Sequence, residues 1–273
     1  MTGNRQASVA GLFYPANAAE LRRSVQNLLA AVEASDEPPP KALIVPHAGY
    51  IYSGPTAAVA YARLLPYRDR YQRVILLGPC HRVPCSNLAV SGVDSFQTPL
   101  GAVPLDKTAI TALKDPEVQL FEAAHQLEHS LEVQLPFLQL ILDSFTLVPL
   151  VVGDAQPDTV AGVIARLWGG DETLIVISSD LSHYLTYHQA TERDRSTCLA
   201  IESLDARAIK HGDACGAVPV CGLLLEAERR GLAIKTLDLR NSGDTAGSKD
   251  QVVGYGAWML YEPRLGAPEN PPR

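Results

Sequence analysis

The chain has 273 residues, 47% of them hydrophobic and 19% charged, enough to bury a full core without disulfide or metal staples. Its 23 basic and 30 acidic side chains leave a formal charge of −7. That argues against a nucleic-acid partner, which wants a basic stripe. No apolar run approaches the ~18 residues of a membrane span. Residues 1–10 carry no apolar signal-peptide core, so a cytoplasmic site is expected. The five cysteines, Cys80, Cys85, Cys198, Cys215 and Cys221, include no C-x-x-C. They are expected to be reduced, with Cys215 and Cys221 as structural residues.

Residues 18–32 place Leu21, Val25, Leu28, Leu29 and Val32 on one face, which predicts an amphipathic helix. Asp36-Glu37-Pro38-Pro39-Pro40 breaks it. Residues 42–45 read as a buried strand, and Pro55 opens a helix over 56–65. Residues 74–77 are a second buried strand, ended by Gly78-Pro79. A strand over 88–93 and a helix over 106–113 follow. Residues 131–142 read as a helix kinked at Pro136. Then come a strand over 145–152, a helix over 156–167 and a third buried strand over 173–177. Helices span 189–209 and 220–230, and strands over 233–239 and 251–260 close the pattern. Strands alternate with helices, and several are apolar on both faces. The fold class is therefore α/β, with a central, largely parallel or mixed sheet flanked by helices. No linker-like shift divides the chain, so one domain is expected over 1–262. The Pro-rich tail over 263–273, with nothing to bury, is expected to be disordered.

The histidines fall at informative places. The first buried run leads into Val45-Pro46-His47 and the second into Gly78-Pro79-Cys80-His81. The third leads into Ser178-Ser179-Asp180-Leu181-Ser182-His183. Parallel strands share one carboxyl edge, where ligands bind, so His47, His81 and His183 are expected to converge. A fourth strand runs into Asn241-Ser242-Gly243-Asp244, which adds a carboxylate. Two imidazoles and a carboxylate suit non-haem Fe(II), and zinc takes the same ligand types. A further histidine beside them would serve as acid or base. His125, His129 and Glu132 would share a face if helical. Asp180 is placed to orient a ligand histidine, and Tyr50 and Tyr52 to line a pocket wall. No G-x-x-x-x-G-K-[ST] or G-x-S-x-G pattern occurs, which disfavours a phosphate loop and a serine hydrolase.

At these residues the chain resembles the Memo family. The resemblance rests on Val45-Pro46-His47-Ala48-Gly49-Tyr50-Ile51-Tyr52-Ser53-Gly54, Leu77-Gly78-Pro79-Cys80-His81 and Glu128-His129-Ser130-Leu131-Glu132. It extends to Ser178-Ser179-Asp180-Leu181-Ser182-His183 and Asn241-Ser242-Gly243-Asp244, and covers about residues 5–262. It implies a fold like LigB-type class III extradiol dioxygenases, in which two histidines and a carboxylate hold Fe(II). It implies His47, His81 and Asp244 as metal ligands and His183 and His129 as catalytic histidines. Tyr50, Tyr52, Asp180 and Glu128 would surround them. The implied cofactor is a divalent metal, Fe(II) first, with zinc or copper as alternatives. The implied partner is a small-molecule substrate of unknown identity, together with a functional link to AMMECR-type and radical-SAM proteins. Three functional readings follow: an oxidoreductase of extradiol-dioxygenase type, a non-catalytic binding module for a peptide or partner protein, and a zinc-dependent hydrolase.

Overall fold

A computed structural model describes residues 3–113 and 116–263. The expected tail, Pro263 apart, lies outside the described residues. In chain order the elements are β1 (Asn4–Arg5), α1 (Ala18–Ala30), β2 (Ala42–Val45), α2 (Tyr50–Tyr61), β3 (Arg73–Pro79) and β4 (Leu88–Val90). Next come β5 (Ser95–Thr98), β6 (Gly101–Pro104), α3 (Lys107–Ala112), β7 (Val118–Leu120), α4 (Glu122–Gln126) and α5 (Leu135–Ile141). The rest are β8 (Thr146–Val152), α6 (Pro157–Leu167), β9 (Thr173–Ser178), β10 (His183–Leu185), α7 (Tyr187–Glu202), α8 (Ala217–Arg230), β11 (Ala233–Asn241) and β12 (Val252–Tyr261).

The large sheet runs β10-β12-β2-β9-β3-β8-β4-β7, with β11 paired to β12. Its centre, β2, β9, β3 and β8, is parallel throughout, while β12 and β4 join antiparallel. The sheet is therefore mixed around a parallel core. Its two faces are both buried. Leu43, Val45, Val74, Leu76 and Val176 point to one apolar cluster. Ile44, Ile75, Leu77, Ile175 and Ile177 point to the other. This is why these strands read as unbroken apolar runs instead of alternating ones. A small second sheet, β1-β5-β6, ties the start of the chain to residues 95–104. Among the described residues, no helix is long and apolar enough to cross a membrane.

Several boundaries differ from the sequence reading for local reasons. Helix α2 begins at Tyr50 and carries Pro55 inside it. The chain enters this helix early because the Tyr50 amide donates to Phe13 O at 2.8 Å, so a distant loop fixes its first turn. Pro136 starts α5 and does not kink a longer helix; a 3₁₀ turn over Glu132–Gln134 precedes it. A first-turn proline loses no helical hydrogen bond. Helix α7 stops at Glu202, just before Leu204 adopts φ +55°, and so does not extend to 209. Residues 125, 129 and 132 do not share one helix, because α4 ends at Gln126.

Glu132 is fully buried and gathers the start of the chain. Its carboxylate accepts from Arg5 Nη1 (2.5 Å), the Ser8 amide (2.8 Å), Ser8 Oγ (2.9 Å), the Val9 amide (3.0 Å) and Tyr14 OH (2.6 Å). Burial pushes the carboxyl pKa up, but the Arg5 charge and these donors outweigh it and hold the group below its ordinary value of 4.5. The stability it contributes is present above that value and is lost as pH falls below it. Glu132→Gln, which leaves the Arg5 guanidinium without its counter-charge, should destabilise the fold by about 3–5 kcal/mol. Urea unfolding at pH 7 checks this, and a loss under about 1 kcal/mol, the size of a surface pair, would refute it.

Candidate metal centre

Parallel pairing sets Val45 of β2 beside Ser178 of β9, and Leu77 of β3 beside Ile177. The residues that follow these strand ends therefore emerge on one edge. There the rings of His47 and His81 lie 5.3 Å apart, His47 and His129 5.4 Å, and His81 and His129 4.7 Å. One ligand nitrogen from each of the three falls within 4.8 Å of the others. The arrangement can hold a divalent metal ion.

The hydrogen bonds around these rings decide which nitrogen is free. Ser178 Oγ donates to Ser130 O at 2.6 Å and accepts from Gln134 Nε2 at 2.8 Å. Its remaining contact, His47 Nδ1 at 2.9 Å, must then be an N–H donor. His47 Nε2 is left with its lone pair. His81 Nδ1 donates to Glu128 Oε1 at 2.9 Å, and the His81 amide donates to Glu128 Oε2 at 2.6 Å. His183 Nδ1 donates to Leu181 O at 2.8 Å. In the neutral ring, each of the three carries its proton on Nδ1 and its lone pair on Nε2, with a fixed partner behind the ring. This is the outer support that ligand histidines require. His129 differs. Its buried Nδ1 has no hydrogen-bond partner, although Glu128 Oε1 lies 3.3 Å away. A buried nitrogen without a hydrogen-bond partner, beside the rings of His47 and His81, fits a residue that binds a cation.

Glu128 is the carboxylate at the centre of this support. It also accepts from the amides of His129 and Ser130, each at 2.9 Å. Burial raises its pKa, but His81 and the surrounding N–H groups outweigh that and hold it at about 2. Asp180 is buried as well, and Oδ1 accepts the His47 amide at 2.7 Å. Its Oδ2 stands 4.0 Å from His47 Nε2, and burial raises its pKa. Asp180 therefore orients His47 through its backbone, not through the ring as expected.

The sequence reading missed one residue of this site. Cys215 Sγ lies 3.3 Å from His47 Nε2. The Cys215 amide donates to Asp180 O at 3.2 Å, and the Gly216 amide donates to Ser179 Oγ at 2.9 Å, so the start of α8 is stitched to the end of β9. A Cβ on Gly216 would stand 2.7 Å from Ser179 Cβ, which is why glycine follows the cysteine. Burial, then the Asp180 charge, pushes the Cys215 thiol up to about 12. Cys215 is thus a site residue and not only the packing residue expected. All five cysteines are free thiols.

Asp244 is placed elsewhere. Its Oδ2 accepts the Asn241 amide at 3.0 Å and its Oδ1 accepts from Tyr187 OH at 2.6 Å. It caps its own turn, and the histidine cluster contains His129 where Asp244 was expected. His183 lies outside the three-histidine group, and its Nδ1 is held by Leu181 O at 2.8 Å. Tyr50 and Tyr52 border a groove of about 1,020 Å³ with Phe13 and Gly49. The Tyr50 hydroxyl is committed to Val133 O at 2.7 Å. The Phe13 ring packs 4.8 Å from His129 and covers it.

Burial, followed by the charge of His81, lowers the His47 pKa from 6.5 to about 3, and burial lowers that of His125 to about 3. Below pH 6.5 the unfolded chain takes up protons that the folded chain refuses. Each group should therefore remove up to about 1.4 kcal/mol of stability per pH unit between pH 6.5 and 3. Denaturant unfolding of chelator-treated protein from pH 7.5 to 4.5 should show this slope. His125→Asn, which cannot titrate, should flatten it, and an unchanged slope in that variant would contradict the assignment.

A family model described as "Memo-like protein" matches residues 5–259. A "MEMO1 family protein" of Aquifex aeolicus is 39% identical over 265 residues, covering 92% of this chain and 97% of the relative. One from Methanosarcina barkeri is 35% identical, covering 94% and 99%. Among solved structures, the uncharacterized protein JW3007 of Escherichia coli K12 is similar in fold, with a TM-score of 0.54 at 13% identity, covering 80% of this chain and 98% of that one.

Proposed function

This chain belongs to the Memo family, and on that premise we propose that the crevice is a single-metal centre for oxidoreductase chemistry of the extradiol-dioxygenase type on a small organic substrate. The observation that carries this reading is the convergence of His47, His81 and His129, with one ligand nitrogen from each within 4.8 Å of the others. We assign His47, His81 and His129 as the ligands, since one nitrogen from each lies within 4.8 Å of the others. Cys215 stands beside them, its thiol within hydrogen-bond distance of His47 Nε2 at 3.3 Å. Asp244 has no place in this set, because its oxygens serve Asn241 and Tyr187.

When bound, the metal supplies Lewis acidity and, if it is iron, an exchangeable electron. The chain supplies position and protons. Glu128 and Ser178 hold the rings of His81 and His47. His183, partly exposed, accepts or returns a proton at Nε2. Phe13 limits water access over His129. Fe(II) is the first reading, from the family. Zinc-dependent hydrolysis is the second, because three imidazoles with an open position are a donor set that zinc takes.

Metal content after anaerobic, chelator-free purification tests the assignment. Wild type and Asp244→Asn should carry near-stoichiometric metal, while His47→Ala, His81→Ala and His129→Ala should lose it. His183→Ala should keep the metal and lose turnover. Glu128→Ala should weaken metal affinity roughly 10–100-fold. Equal metal in wild type and His47→Ala would overturn the metal centre. Zinc in place of iron, with no oxygen uptake, would favour the hydrolase.

A further inference from the structure

Asp194 of α7 is buried and has no part in the histidine cluster. Its Oδ1 accepts the Ser182 amide at 3.0 Å. Its Oδ2 lies against β12, where a Cβ on Gly254 would stand 1.9 Å from it. Glycine at 254 is what lets α7 and β12 close on the carboxyl group. Burial raises the Asp194 pKa above its ordinary value of 3.8, and the Ser182 amide opposes that rise. A buried carboxyl group is costly without a donor, so the bond to Ser182 ties the helix to the segment after β9.

The Ser182 N–H and the Leu181 C=O are the two ends of one planar peptide group. Asp194 holds the first end. The second accepts from His183 Nδ1 at 2.8 Å. The neighbouring peptides are fixed to β12, since the Gly254 amide donates to Ser182 O and the Leu181 amide to Gly254 O, each at 2.8 Å. Just beyond, Tyr184 adopts φ +57°, and the register against β12 shifts between His183 and Leu185. A left-handed tyrosine is strained, and a bulge re-aims the side chains beside it. Such strain persists only where the surroundings over-determine the backbone. The grip of Asp194 and Gly254 on Leu181 and Ser182 does that.

We propose that Asp194 is a positioning residue for His183, acting through the Leu181–Ser182 peptide. The carboxyl group holds and polarises the N–H end, which strengthens the carbonyl end as an acceptor. That carbonyl fixes the imidazole with its proton on Nδ1 and its lone pair on Nε2, the atom at which His183 would accept or return a proton. The arrangement does through one peptide group what a carboxylate hydrogen-bonded directly to a ring does elsewhere. Its value to turnover rests on the proton-handling role proposed for His183. The pose of the ring is read without metal or substrate, so its failure leaves the metal centre standing, and failure of the metal centre leaves the pose.

Chelator-treated full-length protein with nitrogen-15 in its histidines is studied by long-range proton–nitrogen correlation at about pH 8, where an ordinary imidazole is neutral. The spectrum reports the tautomer of each ring, and His183→Ala identifies the His183 signals. Wild type should show His183 as a single Nδ1–H ring. Asp194→Val, similar in size but without an acceptor, should give a mixture of both tautomers, and exchange of the Ser182 amide with solvent should quicken roughly 10–100-fold. His47 and His81 should keep their wild-type signals, which separates lost position from lost fold. Asp194→Asn, which retains an acceptor oxygen, should restore the single ring. If the valine variant does not fold, Gly254→Ala, which drives the carboxyl group off its place, should give the same mixture. A mixed His183 in wild type, an unchanged one in Asp194→Val or its substitute, or no restoration by Asp194→Asn would overturn the proposal.

Discussion

Parallel pairing of β2, β9 and β3 brings three chain segments to one edge of the sheet, and everything at the histidine cluster depends on it. The ladder from Ala42↔Ile175 to Val45↔Ser178 and from Arg73↔Thr173 to Leu77↔Ile177 sets the register. A slip of one residue would turn each strand's apolar set to the wrong face and would carry His47 away from Ser178. Because both faces are covered by helices, the register is held by burial on two sides at once.

That edge is completed by a segment that is neither strand nor long helix. Glu128, Ser130, Glu132 and Gln134 are all fully or almost fully buried, and each serves a different part of the molecule. Glu128 fixes His81, and Ser130 receives the Ser178 hydroxyl. Glu132 collects the N-terminal residues through Arg5, Ser8, Val9 and Tyr14. Gln134 donates to Pro46 O and Ser178 Oγ. Buried polar groups are costly when any partner is missing and rigid when all are present. The site is therefore built like a core, with polar atoms in place of methyl groups. Glu132 also places Phe13 indirectly, since the loop it anchors ends at Phe13 and Tyr14.

The same edge gathers sulfur. Cys215 stands at His47, and Cys80 and Cys85 flank His81. Burial holds the Cys215 and Cys85 thiols protonated.

Much of this was legible in residue order. Strands β2, β3 and β9 announced themselves as short apolar runs, because burial on both faces leaves no polar alternation. His47 and His81, which follow two of these strands, meet at one edge because parallel strands end on the same side. The contact between Cys215 and His47 was not legible. Asp244 looked suitable on a glycine-rich turn, but a carboxylate there is satisfied locally by the Asn241 amide and by Tyr187. Cys215 pairs with His47 across 168 positions, and nothing adjacent to it in sequence signals that contact. Pro55 and Pro136 misled for the same reason: Phe13 O and a 3₁₀ turn, not local propensity, decided where those helices begin. Local order determined which segments must be buried and which side chains follow them. The tertiary structure alone decided which buried polar atoms find partners, because that depends on distances between segments far apart in the chain.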